Sequence, residues 1–387
     1  MRDIIYADNA ATTPILPEVL DAMMPFMKED YGNASSIYSF GRKCRSKIEE
    51  CREIIANCLK AKPKEIYFTS GGSESNNWAV KKGIEIRQEI KGGFLTSCIE
   101  HHSVLNCAKV LENNGHDVYY TKVCKDGIID FEDFNKNINN AKLVSIIFVN
   151  NEIGAVQPIE EIANICKKHG ILFHTDAVQA VGHIDIDIKK LNVDMLSFSS
   201  HKFNGPKGIG GLYIEENVKI GAFMDGGSQE KKLRAGTENV AAIVGMTKAL
   251  EISIKNMEKE NEKLNKFQEY IVTNLLKIKK SKLNGNINKK IPNILNFSFE
   301  GIEGEGIVLH LDNNKIMAST GSACTSESLE PSHVLLSIGV GASLAHSSVR
   351  LSLGVNNTFE EVKYIVSKIN EIVKKLRKMS PVWNDEI

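Results

Sequence analysis

The sequence predicts an α/β fold, with a mostly parallel sheet of seven strands followed by a smaller α+β domain. Short apolar, β-branched runs alternate with helical patterns through the first half of the chain. A long, charged helical segment then leads into a region with two further strand-like runs. The seven runs of the first half lie at residues 65–70, 94–98, 118–122, 143–150, 171–176, 195–199 and 210–214.

The gaps between these runs predict how the strands are connected. Each of the first four gaps holds a helical pattern, for example at 74–88 and 159–169, so the strands that they join should run parallel. The fifth gap has room only for a short helix. The gap between residues 199 and 210 has room for none, so the last strand should return antiparallel.

Residues 41–60, before the first of these runs, form a helical pattern with cysteines on its apolar stripe. Cys44, Cys51 and Cys58 fall on that stripe, and we expect them to be buried core thiols. No two of the eight cysteines are spaced as CxxC. The pattern therefore gives little support for a structural zinc site or a thioredoxin-like redox pair.

The second half of the chain predicts the smaller domain. Residues 239–280 are helical in pattern and increasingly charged, as expected of a helix that leaves one domain for the next. Candidate strands at 294–299 and 348–352 and a closing helix at 359–378 follow. We expect a large α/β domain over residues 15–260 and a small domain formed by residues 1–14 and 261–387.

Composition limits the function. The 387 residues carry 48 basic and 48 acidic side chains, which gives no electrostatic case for nucleic acid or a membrane surface and favours a small substrate. The apolar runs are too short to span a bilayer. Residues 1–9 lack an apolar signal core, so we expect a cytoplasmic protein with reduced thiols.

Two strand ends carry residues suited to catalysis. Lys202 directly follows a predicted buried strand and precedes a glycine-rich turn, where a desolvated amine can form an imine. For a lysine taken alone, an ordinary surface position at a strand end is the commoner alternative. Asp176 ends another strand at the same edge of the sheet, where it could pair with a protonated ring nitrogen or simply cap the next turn.

A third segment, Gly71-Gly72-Ser73, connects a predicted strand to a helix. The amide groups at a helix start attract anions, and glycines allow a phosphate to approach the backbone closely. A plain turn with Ser73 as the helix cap is the alternative. Together, a phosphate cup, a carboxylate and a strand-end lysine on one α/β sheet are the parts that a pyridoxal phosphate site needs.

With these segments in place, the sequence resembles the cysteine desulfurases of the NifS and IscS type, within the fold-type-I pyridoxal phosphate enzymes. The resemblance extends from residue 7 to residue 383. Local departures are mild, such as Ala34 where the family usually has proline. The motifs that carry the resemblance lie at residues 7–14, 32–36, 100–102, 149–154, 174–179, 199–211, 234–237, 321–326 and 380–383.

The resemblance implies a role for each matching residue. Lys202 would hold pyridoxal phosphate as an imine, Asp176 would pair with the ring nitrogen, and His101 would stack on the ring. Arg350 would grip the carboxylate of L-cysteine, for which a solvated strand arginine is the plainer alternative. The remaining binding residues would be Gly72, Ser73, Ser199 and His201 at the phosphate, Gln179 and Asn151 at the hydroxyl edge, and Thr237 from the other subunit of a homodimer.

The resemblance also gives Cys324 a function. It lies in a stretch of small polar residues at 318–328, where we expect a mobile loop. As a thiolate it would attack the substrate sulfur, leaving alanine and a Cys324 persulfide, with His101 as a candidate proton shuttle. An iron–sulfur scaffold protein is the implied acceptor, with Cys324 as a possible transient iron–sulfur ligand and no metal in the isolated enzyme.

Other functions remain open at the level of sequence. Within the same superfamily, the chain could be a selenocysteine lyase or a lyase acting on cysteine sulfinate. It could also be a non-catalytic sulfur-relay subunit. A zinc hydrolase built on His101, His102 and His116 lacks any standard ligand spacing. The sequence does not distinguish a general iron–sulfur scaffold, a nitrogenase-dedicated system and tRNA thiolation as the destination of the sulfur.

Overall fold

A computed structural model describes residues 4–86, 91–320 and 330–384. Within these ranges the strands are β1 (Ile5–Tyr6), β2 (Ile66–Thr69), β3 (Gly93–Ser97), β4 (Val118–Thr121), β5 (Ala141–Ile147), β6 (Leu172–Asp176), β7 (Met195–Ser199), β8 (Gly210–Ile214), β9 (Ser281–Leu283), β10 (Ile294–Phe299), β11 (Ile316–Met317) and β12 (Ser348–Ser352). The α-helices are α1 (Pro17–Lys28), α2 (Ser39–Leu59), α3 (Gly72–Glu85), α4 (His102–Asn113), α5 (Phe131–Asn137), α6 (Ile159–Lys168), α7 (Ile188–Leu191), α8 (Val240–Leu275), α9 (Gly304–Asn313), α10 (His333–Ser337), α11 (Ala342–His346) and α12 (Phe359–Met379).

Seven strands form the main sheet, in the order β2-β8-β7-β6-β5-β3-β4. Strands β3 to β7 pair in parallel, and β8 runs antiparallel to both of its neighbours, β7 and β2. Helices α3, α4, α5 and α6 occupy the first four gaps, and the four-residue α7 occupies the fifth. The predicted mostly parallel sheet and its antiparallel return are confirmed.

Helix α2 buries its cysteine stripe less evenly than predicted. Cys44 and Cys51 are at most 1% exposed, whereas Cys58 is only partly buried, at the edge of the same apolar cluster. Cys58 lies one residue before the end of α2, where fewer neighbours cover the helix. Burial nevertheless raises the pKa of the Cys58 thiol to about 11, so the thiol is protonated near neutral pH.

The second half of the chain forms a separate apolar cluster. The 36-residue helix α8 contributes Leu264, Phe267 and Ile271 from its C-terminal part, and α12 packs beside them. A three-stranded antiparallel sheet in the order β12-β10-β9 completes the cluster. Residues of the N-terminus join it too, because β1 pairs in parallel with β11.

Strand β10 has two different faces. Leu295, Phe297 and Phe299 point into the apolar cluster, while Asn296 and Ser298 point to the opposite side. All five side chains are buried. The opposite face is therefore a buried polar surface that carries Asn296 and Ser298.

No helix in the described part of the chain is both long and apolar enough to cross a membrane.

Candidate active site

A cavity of about 570 Å³ opens near the C-terminal ends of β6 and β7. The position agrees with the rule that ligands of open α/β sheets bind beyond the carboxyl ends of the strands. Ten residues singled out from the sequence line it: Gly72, Ser73, His101, Asn151, Asp176, Gln179, Ser199, His201, Lys202 and Arg350.

Lys202 is held at the cavity by the N-terminal segment. It ends a single 3-10 turn that directly follows β7, and its Nζ donates hydrogen bonds to the carbonyls of Ala10 (2.5 Å) and Ala11 (2.8 Å). Thr13 completes this clamp, because its backbone N–H and its hydroxyl both donate to the His201 carbonyl at 2.9 Å. The ammonium group is thus directed inward rather than into solvent.

Asp176 has a fixed carboxylate orientation. Its Oδ1 accepts the backbone N–H of Val178 at 3.0 Å, which is the turn-capping contact that the sequence suggested. Its Oδ2 accepts a hydrogen bond of 2.6 Å from the side chain of Asn76, which lies on α3. The same Asn76 amide donates to Ser103 at 2.8 Å. The carboxylate therefore caps the turn and also lines the cavity, where its pairing with a ring nitrogen stays a prediction.

The Gly71-Gly72-Ser73 turn forms an open cup for an anion. Gly71 has φ +151°, a region that side chains rarely adopt, and a Cβ on Gly72 would lie 2.5 Å from a methyl group of Val178. Helix α3 begins at Gly72, and the first N–H groups of a helix have no partner within the helix. No side chain caps this end of the helix, so the alternative in which Ser73 is the helix cap does not apply.

Glu74, in the first turn of α3, is neutralised by a partner that the sequence analysis missed. Arg234 donates to the two carboxylate oxygens from Nε (2.7 Å) and Nη2 (3.1 Å), and the Ser70 N–H donates at 2.9 Å. Burial opposes ionisation, but these contacts keep the pKa of Glu74 below its ordinary value. The negative charge is therefore balanced before an anion arrives at the cup.

His101 is held as a neutral ring. Its Nδ1 accepts the backbone N–H of Ser103 at 3.1 Å and so caps α4. Burial, with a contribution from Lys202, lowers the pKa of His101 against the attraction of Asp176. Because Nδ1 is an acceptor, we assign the single ring proton to Nε2.

His201 and Gln179 are also fixed by the N-terminal segment. His201 contacts the Thr12 hydroxyl at 3.1 Å, and burial with the nearby Lys202 and Lys207 lowers its pKa to about 4. Gln179 donates to the Ala10 carbonyl at 2.9 Å. Residues 10–12, whose own carbonyl and hydroxyl groups make these bonds, are therefore part of the site.

Arg350 is not the solvated strand arginine that the sequence left open. Its side chain is 2% exposed, and its Nη2 lies 2.8 Å from Asp8 Oδ1. Its Nη1 donates to the Asn151 carbonyl at 3.0 Å. The guanidinium therefore lies beside a carboxylate and a carbonyl that hold it in one orientation at the cavity wall.

Three further sequence predictions have other outcomes. Thr237 is exposed in the loop before α8 and does not line the cavity of its own chain. Cys324 lies outside the described residues. The histidines of the zinc alternative do not form a metal site, because among the described residues only Glu65, Glu215 and Glu216 bring metal-ligating atoms together.

The sequence is similar to those of known proteins over almost its whole length. Residues 5–365 match the profile of the class-V aminotransferase family. A protein named cysteine desulfurase IscS from Clostridium botulinum is 49% identical over 390 aligned residues, covering 100% of this chain and 98% of its own length.

Solved structures agree with the sequence comparison. A structure titled NifS-like protein has a TM-score of 0.91 at 37% identity, and the match covers 96% of this chain and 100% of that chain. A structure titled SspA in complex with cysteine has a TM-score of 0.80 at 37% identity, covering 90% of this chain and 98% of that chain.

Proposed function

The chain belongs to the class-V aminotransferase family and is a pyridoxal phosphate-dependent cysteine desulfurase, and we propose that the cavity beside Lys202 is its active site. The observation that carries this assignment is the convergence of Lys202, Asp176 and the Gly72-Ser73 cup on one cavity. These three segments are far apart in the sequence. Their chemistry matches the aldehyde, the ring nitrogen and the phosphate of the cofactor in turn.

The residues present fit the cofactor. The cup at the start of α3 offers N–H groups and the positive end of a helix, and a Cβ at Gly72 would clash with Val178, which also lines the cavity. Ser73, Ser199 and His201 add polar groups at the same wall of the cavity. Bound there, pyridoxal phosphate supplies an electron-poor ring that takes up the charge left when the substrate loses its α-proton.

Four residues would act on the bound substrate. Arg350 binds the carboxylate of L-cysteine, with Asn151 beside it. Lys202 Nζ, directed inward by the Ala10 and Ala11 carbonyls, removes the α-proton. Neutral His101 has an unprotonated Nδ1 engaged with Ser103, so Nε2 is the atom that exchanges a proton with the substrate thiol.

Cys324 would complete the reaction. Its thiolate attacks the substrate sulfur, so a carbon–sulfur bond breaks and a sulfur–sulfur bond forms. The electron pair of the broken bond stays with the carbon skeleton, which is protonated and leaves as L-alanine. The products are L-alanine and a Cys324 persulfide, ready for transfer to an acceptor.

The assembly and the acceptor are further parts of the proposal. Thr237 is exposed and outside its own cavity, as expected of a residue that reaches the phosphate of a second subunit in a homodimer. An iron–sulfur scaffold protein is the proposed acceptor.

The proposal also covers the compartment and the domain division. The seven described cysteines form no disulfide with one another, as a reducing cytoplasm would maintain. The proposed division at residue 260 falls within α8, between the residues that this helix contributes to the two apolar clusters.

Turnover of the purified protein tests the function. Wild-type protein should release sulfide and L-alanine from L-cysteine in the presence of a reducing thiol. Cys324→Ser should abolish both while L-cysteine still changes the visible spectrum of the cofactor. Cys124→Ser, at an exposed thiol, is the matched control. Unimpaired turnover by Cys324→Ser would contradict the assigned role, and faster alanine release from selenocysteine or cysteine sulfinate would favour the alternative lyases.

A further inference from the structure

A row of three buried polar side chains crosses the three-stranded sheet, from Arg350 through Asn296 to Asn284. Asn296 of β10 is the cross-strand partner of Arg350 of β12. On the other side of β10, Asn284 follows β9 and donates its Nδ2 to Asn296 Oδ1 at 2.8 Å. Asn284 and Asn296 are both 0% exposed, and Arg350 is 2% exposed. The two asparagines are therefore shielded from bulk water, and Arg350 meets it only at the cavity wall.

The backbone pairing brings Asn296 and Arg350 close together. Arg350 exchanges both of its backbone hydrogen bonds with Ser319, through N–H to carbonyl contacts of 2.7 and 3.3 Å. Both backbone groups of Arg350 thus point away from β10, which makes Asn296 and Arg350 a non-hydrogen-bonded pair. Side chains in such pairs lie closer than in the hydrogen-bonded pairs of an antiparallel sheet, about 5 Å apart at Cβ.

The row contains three buried atoms without a partner among the described residues: Asn284 Oδ1, Asn296 Nδ2 and Arg350 Nε. A buried donor or acceptor left in this state is costly. Because β10 lies between β9 and β12, we infer that the Asn296 group facing away from Asn284 is directed toward Arg350 on β12. That group is a donor, as is Arg350 Nε, so the two do not pair.

Turning both amides by 180° resolves most of this conflict. Asn296 Nδ2 then donates to Asn284 Oδ1, so the bond between the two amides is kept with its direction reversed. The Ser298 hydroxyl, 2.9 Å from the Asn284 amide, becomes the donor of that contact. Asn296 Oδ1 now faces Arg350 Nε, and one buried atom remains unpartnered instead of three.

We propose that Asn296, anchored by Asn284, is a positioning residue that accepts a hydrogen bond from Arg350 Nε and sets the angle at which the guanidinium meets the substrate carboxylate. Asp8 and the Asn151 carbonyl hold the two terminal nitrogens, and Asn296 holds the third. With all three nitrogens fixed, the plane of the guanidinium is fixed as well. This inference rests on the proposed carboxylate-binding role of Arg350.

Equilibrium binding of L-alanine, the carboxylate-bearing product, to the holoenzyme tests the proposal. Asn296→Ala should raise the Kd for L-alanine about tenfold, the effect of one hydrogen bond to a charged group. It should raise KM for L-cysteine similarly and leave kcat within about twofold. Asn284→Ala should act in the same direction by a smaller factor. The matched control is Asn314→Ala, which removes a half-buried asparagine from the same domain and should leave this Kd unchanged, because its amide donates to the His310 carbonyl within α9.

A double-mutant cycle separates positioning from a general loss of structure. In an Arg350→Ala background, Asn296→Ala should have no further effect on the Kd, because the residue acts only through Arg350. Equal fold-changes in both backgrounds would overturn the proposal. A neutron structure of the unmodified holoenzyme gives a second test that needs no variant, and an Asn296 nitrogen facing Arg350 Nε would also overturn it.

Two different results distinguish an error in the proposed function from an error in the positioning role of Asn296. If the wild-type protein forms no alanine from L-cysteine, the proposed function itself is wrong. If it forms alanine but Asn296→Ala binds L-alanine as tightly as the wild type, only the positioning role is wrong.

Discussion

The side chain of Asn76 donates a 2.6 Å hydrogen bond from Nδ2 to Asp176 Oδ2. The Val178 N–H holds the other carboxylate oxygen, so Asp176 cannot rotate without breaking one of two contacts. Asn76 and Val178 thereby fix the direction in which Asp176 presents its carboxylate to the cavity.

Asn76→Ala should lower kcat for alanine formation about tenfold, because the carboxylate loses the contact that fixes its orientation. Asp176→Asn removes the charge itself and should lower kcat by about 10²-fold or more. Steady-state kinetics with L-cysteine measure both effects. Asn164→Ala on the exposed side of α6 is the matched control. Wild-type kcat in the Asn76 variant would show that Asp176 needs no such support.

Arg234→Gln should weaken binding of pyridoxal phosphate to the apoprotein about tenfold. Without the guanidinium, the Glu74 carboxylate is left unpaired beside the anion cup at the start of α3. Equilibrium dialysis against the cofactor gives the Kd. Pyridoxal, which has no phosphate, is the control ligand and should bind both proteins equally. Equal weakening for both ligands would assign Arg234 a structural role instead.

Lys202→Ala should reduce alanine formation by about 10³-fold or more, because the variant lacks both the amine that holds the cofactor and the base. The visible absorbance of the imine-bound cofactor should disappear from the purified variant. Lys189→Ala, on the exposed helix α7, is the control. Retention of that absorbance by the Lys202 variant would place the imine on another lysine.

His174 should make the folded protein sensitive to acid. Burial lowers its pKa from 6.5 to about 3, and its two ring nitrogens contact Ser145 and Ser197 at 2.8 Å. Between these pH values the unfolded chain binds a proton that the folded protein excludes, so stability falls as the pH falls. From pH 6.5 to 4.5 this costs about 3 kcal/mol at 1.36 kcal/mol per unit.

Urea unfolding of His174→Asn measures this contribution. The variant has lost the two ring contacts, so its stability at pH 7 should be lower than that of the wild type. Its further loss between pH 6.5 and 4.5 should be about 3 kcal/mol smaller. His169→Asn, at an exposed position, should follow the wild type. Parallel pH profiles for the wild type and the His174 variant would show that His174 is not buried as a neutral ring.

Local patterns in the sequence were enough to locate most of the cavity. Lys202 and Asp176 follow strands, and a strand end in an open α/β sheet points to the ligand crevice. The helix pattern at 41–60 predicted α2 to within two residues at its start and one at its end. The exception on that helix is Cys58, whose partial exposure depends on what packs over the end of the helix.

Pairs between distant residues could not be predicted in this way. Asn76 reaches Asp176 across 100 positions and Arg350 reaches Asp8 across 342. Neither partner carries a local signal, because a polar residue on a helix or near the N-terminus is normally solvated. Only the folded arrangement shows that the members of each pair meet and form a hydrogen bond.

The contacts of the first dozen residues set the order of events during protein synthesis. Ala10 and Ala11 leave the ribosome early, but their carbonyls can bind Lys202 only after that residue has been synthesised. The contact between Asp8 and Arg350 forms later still, because Arg350 lies near the other end of the chain. A nascent chain shorter than about 350 residues therefore lacks a complete site. If Arg350 binds the substrate carboxylate as proposed, a partly synthesised enzyme lacks that contact, and sulfur release should begin only after the protein is nearly finished.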